Sequence, residues 1–274
     1  MVSTMKTQFE KAELFKKLHE EKSTFIIPNP WDVATTKIVE NLGFKALATS
    51  SASIAFSEGV SDNQLPLDNV LQYLEKISRA TNLPVSADLG NGFYDEPKKI
   101  FDTIKLAANT GIVGASIEDV KNNESYSIEF SAERITAATE AIASLDFPFL
   151  LTARADNYTI GKTDLKDTIK RLQAYQSAGA DVLFAPGIKS IKDIQSILYE
   201  IDKPLNVMMG LKDCHLDFES LSKIGVRRIS LGASLFRNTM TSFIETAKSL
   251  NQNGKFDFAQ TAISSDALNE LLNI

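Results

Sequence analysis

The sequence predicts one (β/α)8 barrel of the TIM type, a single domain over residues 1–274, with an extra helical segment at its C-terminus. Short apolar runs alternate with amphipathic stretches eight times along the chain. The runs are continuously apolar, as strands covered on both faces are. No Gly/Pro/Ser-rich linker divides the 274 residues, a length suited to one barrel of ~250 residues.

The elements follow in order. Residues 1–22 form a polar N-terminal helix without an apolar signal core, and the lysine-rich stretch 11–22 reads as an exposed face. Strands are predicted at about 24–28, 45–50, 84–88, 113–118, 149–154, 181–185, 205–209 and 228–232. Between them, 97–110 places Ile100, Phe101, Ile104 and Ala108 at helical spacing and stops at Gly111. Likewise 165–178 puts Leu165, Ile169 and Leu172 on one face and stops at Gly179. The tail, 252–274, carries Phe256, Phe258, Leu268, Leu271 and Leu272 after the eighth unit. A helix there, with no place in the barrel, is expected to bury these residues on a second copy, giving a homotetramer or homodimer.

Composition narrows the function classes. Lys+Arg 29 against Asp+Glu 35 leaves a net charge of −6 with no basic run, which argues against nucleic acid or an anionic membrane as the main partner. The single cysteine, Cys214, excludes an intrachain disulfide and a multi-cysteine zinc site. No apolar run approaches the ~18 residues of a membrane span, and a cytoplasmic protein is expected.

In such barrels chemistry sits at the C-terminal ends of the strands. Here those ends supply Asn29 and Asp32, then Thr49-Ser50-Ser51, then Asp88, Glu118-Asp119, Arg154 with Asp156, Pro186-Gly187 and Gly210. Carboxylates gather on the third and fourth strands and a guanidinium faces them from the fifth. Such oxygens suit Mg²⁺, a hard ion that keeps much of its water. Bound there, Mg²⁺ polarises a 2-oxo acid and stabilises an enolate. Arg154 offers a planar fork for a carboxylate or phosphonate. Gly90 and Gly92 let backbone N–H groups approach an anion. No strand end carries lysine, against a Schiff-base aldolase, and neither His19 nor His215 lies at one. Trp31 reads as a pocket-wall residue and Cys214 as an idle thiol.

Five segments in order, "PNPWDVATTKIVENLGFKALATSSASIAFSEGVSD", "LPVSADLGNGFYD", "GIVGASIED", "LLTARADNY" and "GVRRISLGASLFR", resemble the phosphoenolpyruvate mutase/isocitrate lyase superfamily, in its short-gating-loop branch. The resemblance covers about 24–250. It implies a barrel whose eighth helix swaps between subunits, and reactions that make or break a C–C or P–C bond beside a 2-oxo acid. It assigns Asp88 to the Mg²⁺ ion, directly or through water, and Glu118 to the waters on the metal. It gives Arg154 the substrate's anionic group, Ser50, Ser51 and Ala52 the 2-oxo carboxylate, and Asp62 a place near metal and substrate.

The chain departs from that pattern at several points. Gly90 stands where many members carry a second acid. The segment after Glu118, "EDVKNNESYSIEF", lacks the Lys-Lys-Cys-Gly-His loop of the isocitrate and methylisocitrate lyases. Pro186 holds the place of the mutase's histidine, and Lys121, Asn122 and Asn123 are the stand-ins for its gating-loop residues. The reading is a Mg²⁺-dependent lyase or hydrolase acting beside the 2-oxo group of a small anionic acid, and not an efficient isocitrate lyase. The alternatives are a phosphonopyruvate hydrolase or mutase, and a catalytically weak barrel that binds a 2-oxo acid.

Overall fold

The computed structural model describes residues 5–273. In chain order its elements are α1 (Gln8–Glu20), β1 (Phe25–Ile27), α2 (Val33–Asn41), β2 (Leu47–Ala48), α3 (Ser51–Ser57), α4 (Leu67–Arg79), β3 (Val85–Asp88), α5 (Pro97–Ala108), β4 (Gly114–Glu118), β5 (Val120–Lys121), β6 (Glu124–Ser125), α6 (Ile128–Ala143), β7 (Leu150–Arg154), α7 (Leu165–Ser177), β8 (Val182–Phe184), α8 (Ile191–Glu200), β9 (Leu205–Met208), α9 (Phe218–Lys223), β10 (Arg228–Ser230), α10 (Ser234–Asn253) and, after a 3-10 turn at Asp257–Gln260, α11 (Ser265–Leu272).

Eight parallel strands run in the order β1-β10-β9-β8-β7-β4-β3-β2. All eight expected strands are present, each trimmed by one to a few residues where the chain turns out of the ladder. The two ends of this order are joined by one backbone bond, the Ala48 N–H donating to Pro28 O at 3.0 Å, so the barrel is nearly closed. Asn29 stitches the same seam. Its amide N–H donates to Thr49 O at 3.0 Å, and its Oδ1 accepts from the backbone of Leu231 and Gly232 at 2.9 and 3.0 Å.

The main core lies between strands and helices, where Leu74, Ile77, Ile100, Ile104, Leu151, Leu172 and Ile197 are all buried. A second, smaller core closes the bottom of the barrel. There α1, started by a Thr7–Glu10 capping box, lays Ala12 and Phe15 on Phe25, Ile27, Ala46 and Val113. The face expected to be exposed over 11–22 is therefore not exposed throughout. Lys11 is buried and its Nζ donates to Ser78 O at 2.9 Å, because its long apolar stem passes under the barrel before the charge finds a carbonyl.

Two features at the mouth were not expected from the sequence. β5 and β6 form an antiparallel hairpin directly after β4, turning on Asn122 and Asn123 with φ of 52° and 62°. Two consecutive left-handed residues in a two-residue loop make a type I′ turn, which asparagine tolerates. The other is α10, which projects far beyond the barrel: of its 20 residues only Phe236 is buried. The tail then folds back, and α11 lies along α2, where Asn41 donates to Leu271 O at 2.8 Å. Leu268, Leu271 and Leu272 are half-buried there, whereas Phe256 and Phe258 stay exposed.

Candidate active site

The strand ends open into a cavity of about 180 Å³, and Asp62, Glu118 and Arg154 also line a second one of about 590 Å³ beside it. Ser50, Ser51, Ala52, Asp62, Asp88, Glu118 and Arg154 all line the first, so seven of the eight site residues expected from the sequence converge. The eighth, Trp31, stands at the rim. Its ring packs edge-on against Phe236 at 5.1 Å and does not reach the cavity wall.

Asp88 ends β3 because the strand runs into a turn built on glycine. Gly90 and Gly92 sit at φ of 54° and 80°, a region costly for other residues. A Cβ on Gly92 would lie 2.5 Å from Ile100 Cδ1, and one on Gly90 would lie 2.6 Å from Asn63 Oδ1. The turn is clamped from outside by the buried Arg134, which donates to the backbone oxygens of Asn91, Tyr94 and Glu118. "DLGNGFY" is thus both a turn and a site: the glycines let the chain fold tightly while leaving the Asp88 carboxylate at the cavity.

That carboxylate is held on several sides. The Ser51 N–H and hydroxyl donate to its Oδ2 at 3.1 and 3.0 Å. Arg154 donates to its Oδ1 at 2.9 Å. The same guanidinium pairs with Glu118 at 3.0 Å and grips Asp156 twice, at 3.0 and 2.8 Å. Asp156, which the sequence offered only as a neighbour of Arg154, is therefore part of the constellation. Its signal was the i, i+2 spacing at the end of a strand.

Three carboxylates, those of Asp88, Glu118 and Asp156, thus surround one guanidinium, and Asp62 lines the same cavity. The charge imbalance appears in the protonation of the group. Burial pushes the Glu118 carboxyl well above the usual range; Arg154 opposes this, while Asp156, Asp88 and Asp62 add to it. Asp156 is also raised by burial, against the pull of Arg154. Asp62, on the outer loop, is raised by partial desolvation and then by Asp88. An excess of anionic oxygen around a small polar cavity is the donor set of a hard divalent cation. Among the described residues no three Asp, Glu, His or Cys side chains converge as metal ligands. What the cavity does offer are the carboxylate oxygens of Asp88 and Glu118, hard donors of the kind Mg²⁺ takes together with water.

Asp119, adjacent to Glu118, faces away from the cavity into the core. It accepts from Tyr175 Oη at 2.5 Å, Arg171 Nη1 at 3.0 Å and the Asp156 N–H at 2.8 Å. Its work is positional: it fixes the backbone that carries Asp156. Tyr126 and Lys121, the two proton donors that the hairpin region offers, are both tied to Asp95, at 2.5 and 2.6 Å. Burial and Asp95 push the Tyr126 phenol up to about 12. Cys214 is half-buried, its Sγ 3.9 Å from Met209 Sδ.

A barrel with acids on β3 and β4 and an arginine on β7 defines a class, and comparison with known proteins places the chain within it. The phosphoenolpyruvate phosphomutase family model matches residues 15–251, and the chain belongs to that family. A candidate lyase/mutase of Burkholderia cenocepacia J2315 superposes with a TM-score of 0.95 at 44% identity, over 97% of each chain. The oxaloacetate decarboxylase of Pseudomonas entomophila is 26% identical across 81% of this chain and 78% of its own. A phosphonopyruvate hydrolase solved with oxalate and Mg²⁺ shares the fold, with a TM-score of 0.85 at 20% identity over 98% of this chain and 95% of the other. Relatives by sequence thus include an oxaloacetate decarboxylase and a phosphoenolpyruvate phosphomutase.

Proposed function

We propose that this protein is a Mg²⁺-dependent lyase or hydrolase that cleaves a C–C bond beside the 2-oxo group of a small anionic acid. The convergence of Asp62, Asp88, Glu118 and Arg154 on one polar cavity carries this reading. The related decarboxylase acts on a substance of this class, and the more distant hydrolase binds oxalate with the metal.

Asp88 and Glu118 are the residues that would hold the ion, directly or through its waters. Mg²⁺ bound there would polarise the 2-oxo acid and stabilise negative charge on its oxygen. The rest falls to the chain itself. Ser50 caps α3 and Ser51 and Ala52 begin it; the Ser51 N–H already holds Asp88, so the Ala52 N–H and the Ser50 hydroxyl are the groups that would meet a carboxylate. Arg154, held by three carboxylates, keeps a fixed positive charge beside the site. P–C cleavage is the second reading, favoured by the family match itself. A panel of malate, citrate and phosphonate derivatives, assayed for pyruvate, oxaloacetate or glyoxylate release with and without Mg²⁺, tests both. Absence of turnover with every member, in the presence of the metal, leaves only a binding barrel.

We further propose that the protein is a homotetramer or homodimer in the cytoplasm. Support comes from α10, whose Phe243 and Ile244 are exposed along with Phe256, Phe258 and Ile263 beyond it. Apolar side chains in such number on one projection favour cover by a second copy. Light scattering at micromolar concentration should report an oligomer; a monomer refutes this. Among the described residues no helix is long and apolar enough to cross a membrane.

A further inference from the structure

The cavity beneath the metal-type acids does not end at a packed apolar floor. Ser86, Ser116, Asn206 and Ser230 line it as well, and so does Arg228, at the start of β10. The guanidinium of Arg228 is buried, at 5% exposure, yet no carboxylate among the described residues pairs with it. Its hydrogen-bond partners are all neutral. It donates to Asn206 Oδ1 at 2.9 Å, to Thr152 Oγ1 at 2.9 Å and, at 3.3 Å, toward His19 Nε2. His19 can accept because its Nδ1 faces Phe15 O at 2.8 Å, which assigns the proton to that nitrogen.

A buried cation is costly unless an anion answers it. Burial alone depresses the Arg228 pKa, to about 9, with no carboxylate raising it again, and the group still carries its charge at neutral pH. The three neutral bonds fix the plane of the guanidinium and use three of its five N–H donors. Higher in the same cavity Arg154 already has Asp88, Glu118 and Asp156 around it. Of the two arginines lining the cavity, Arg228 is the one without an anionic partner.

We infer that Arg228 is the anchor for a second carboxylate, so that the substrate is a short dicarboxylate lying along the barrel axis. This rests on the reading of the site as a 2-oxo-acid centre, and it names which acids enter. The 2-oxo end stays at the level of Ser51 and Asp88, and the distal carboxylate descends among the serines to Arg228. Asn206, Thr152 and His19 are positioning residues that hold the guanidinium plane.

Calorimetric titration in the presence of Mg²⁺ tests it, with oxalate and pyruvate as short probes and 2-oxoglutarate and malate as longer dicarboxylates. The wild type should prefer at least one longer dianion over pyruvate by tenfold or more. Arg228→Gln and Arg228→Lys should weaken that dianion about 10- to 100-fold, the range for losing one charge-assisted hydrogen bond, and leave oxalate within about threefold. Equal affinity of the wild type for pyruvate and both longer acids overturns the inference, and that result needs no variant to fold. Equal losses for oxalate and the dianion in folded variants also overturn it. Failure of oxalate to bind the wild type with Mg²⁺ is a different result, which defeats the proposed function and this inference with it.

Discussion

Replacing Asp119 tests whether the acids at the cavity are held from behind. Its Oδ2 accepts from both Tyr175 and Arg171, and its Oδ1 accepts from the Asp156 backbone. Asp119→Ala strands a buried phenol, a buried backbone N–H and half the pairing of a buried guanidinium. Breaking a buried ion pair costs about 3–5 kcal/mol, and each orphaned neutral donor about 1–3. Arg171 retains Asp167 at 2.7 Å, and the losses overlap, so a total of about 4 kcal/mol is expected. Set against a domain stability of about 5–15 kcal/mol, that is a large share. At about 2–4 °C per kcal/mol it lowers the melting temperature by roughly 8–16 °C. Asp119→Asn keeps the volume but has one oxygen where three donors need two. Whichever way its amide turns, an N–H faces an N–H, and a cost of about 2–3 kcal/mol follows. Tyr175→Phe in the Asn background removes one conflicting donor and should restore part of the loss. Urea unfolding followed by circular dichroism measures all four proteins. An Asp119→Ala variant within 1 kcal/mol of the wild type would refute the account of this residue as a buried support.

Other outcomes follow from the same geometry. Asp88→Ala should abolish Mg²⁺-dependent turnover while leaving the melting temperature nearly unchanged, because Arg154 keeps Glu118 and Asp156 and a crowded carboxylate is gone; a drop beyond about 5 °C would contradict the excess-charge argument. Burial, and then Arg228, hold the His19 pKa down to about 3 from its ordinary 6.5. The unfolded chain therefore takes up a proton that the folded chain refuses. Stability present above pH 6.5 is lost as pH falls toward 3, by about 1.4 kcal/mol per pH unit, and a pH series of urea melts on His19→Gln should lack this slope. Isocitrate and methylisocitrate should not turn over at an ordinary ~1–10³ s⁻¹, because the hairpin offers no cysteine and Tyr126 and Lys121 are spent on Asp95; steady-state assays with both decide it.

The barrel was legible because short, mainly apolar runs alternate with helical patterns, and β3, β4 and β7 end in charged residues, which is also where the site lies. Asp88, Glu118 and Arg154 could therefore be read from position alone. What escaped were contacts between distant parts of the chain. Asp119 looks like a twin of Glu118 in the sequence; its partners Arg171 and Tyr175 stand 52 and 56 residues away on α7. Arg228 and His19 meet across 209 residues, and each alone reads as an ordinary polar residue on a strand or helix. The β5–β6 hairpin has strands of two residues, too short for any periodicity, although Asn122-Asn123 is a turn signal of the kind that makes such hairpins. Lys11 was misplaced because the helical pattern tells which way a side chain leaves the helix, and a lysine stem can bury itself before its charge emerges.

The seam between β1 and β2 gives the barrel a compliant side. Seven of the eight strand junctions are ladders, whereas this one rests on a single backbone bond and the amide of Asn29. Three of the charged groups, Asp88, Glu118 and Arg154, lie on strands zipped along their length. Ser50, Ser51 and Gly232, which contribute neutral contacts, lie beside the seam. The acids of β3 and β4 and Arg154 thus stand on the laddered side of the cavity, away from the seam. Substitutions near Asn29 can resize the chamber without disturbing the charges opposite.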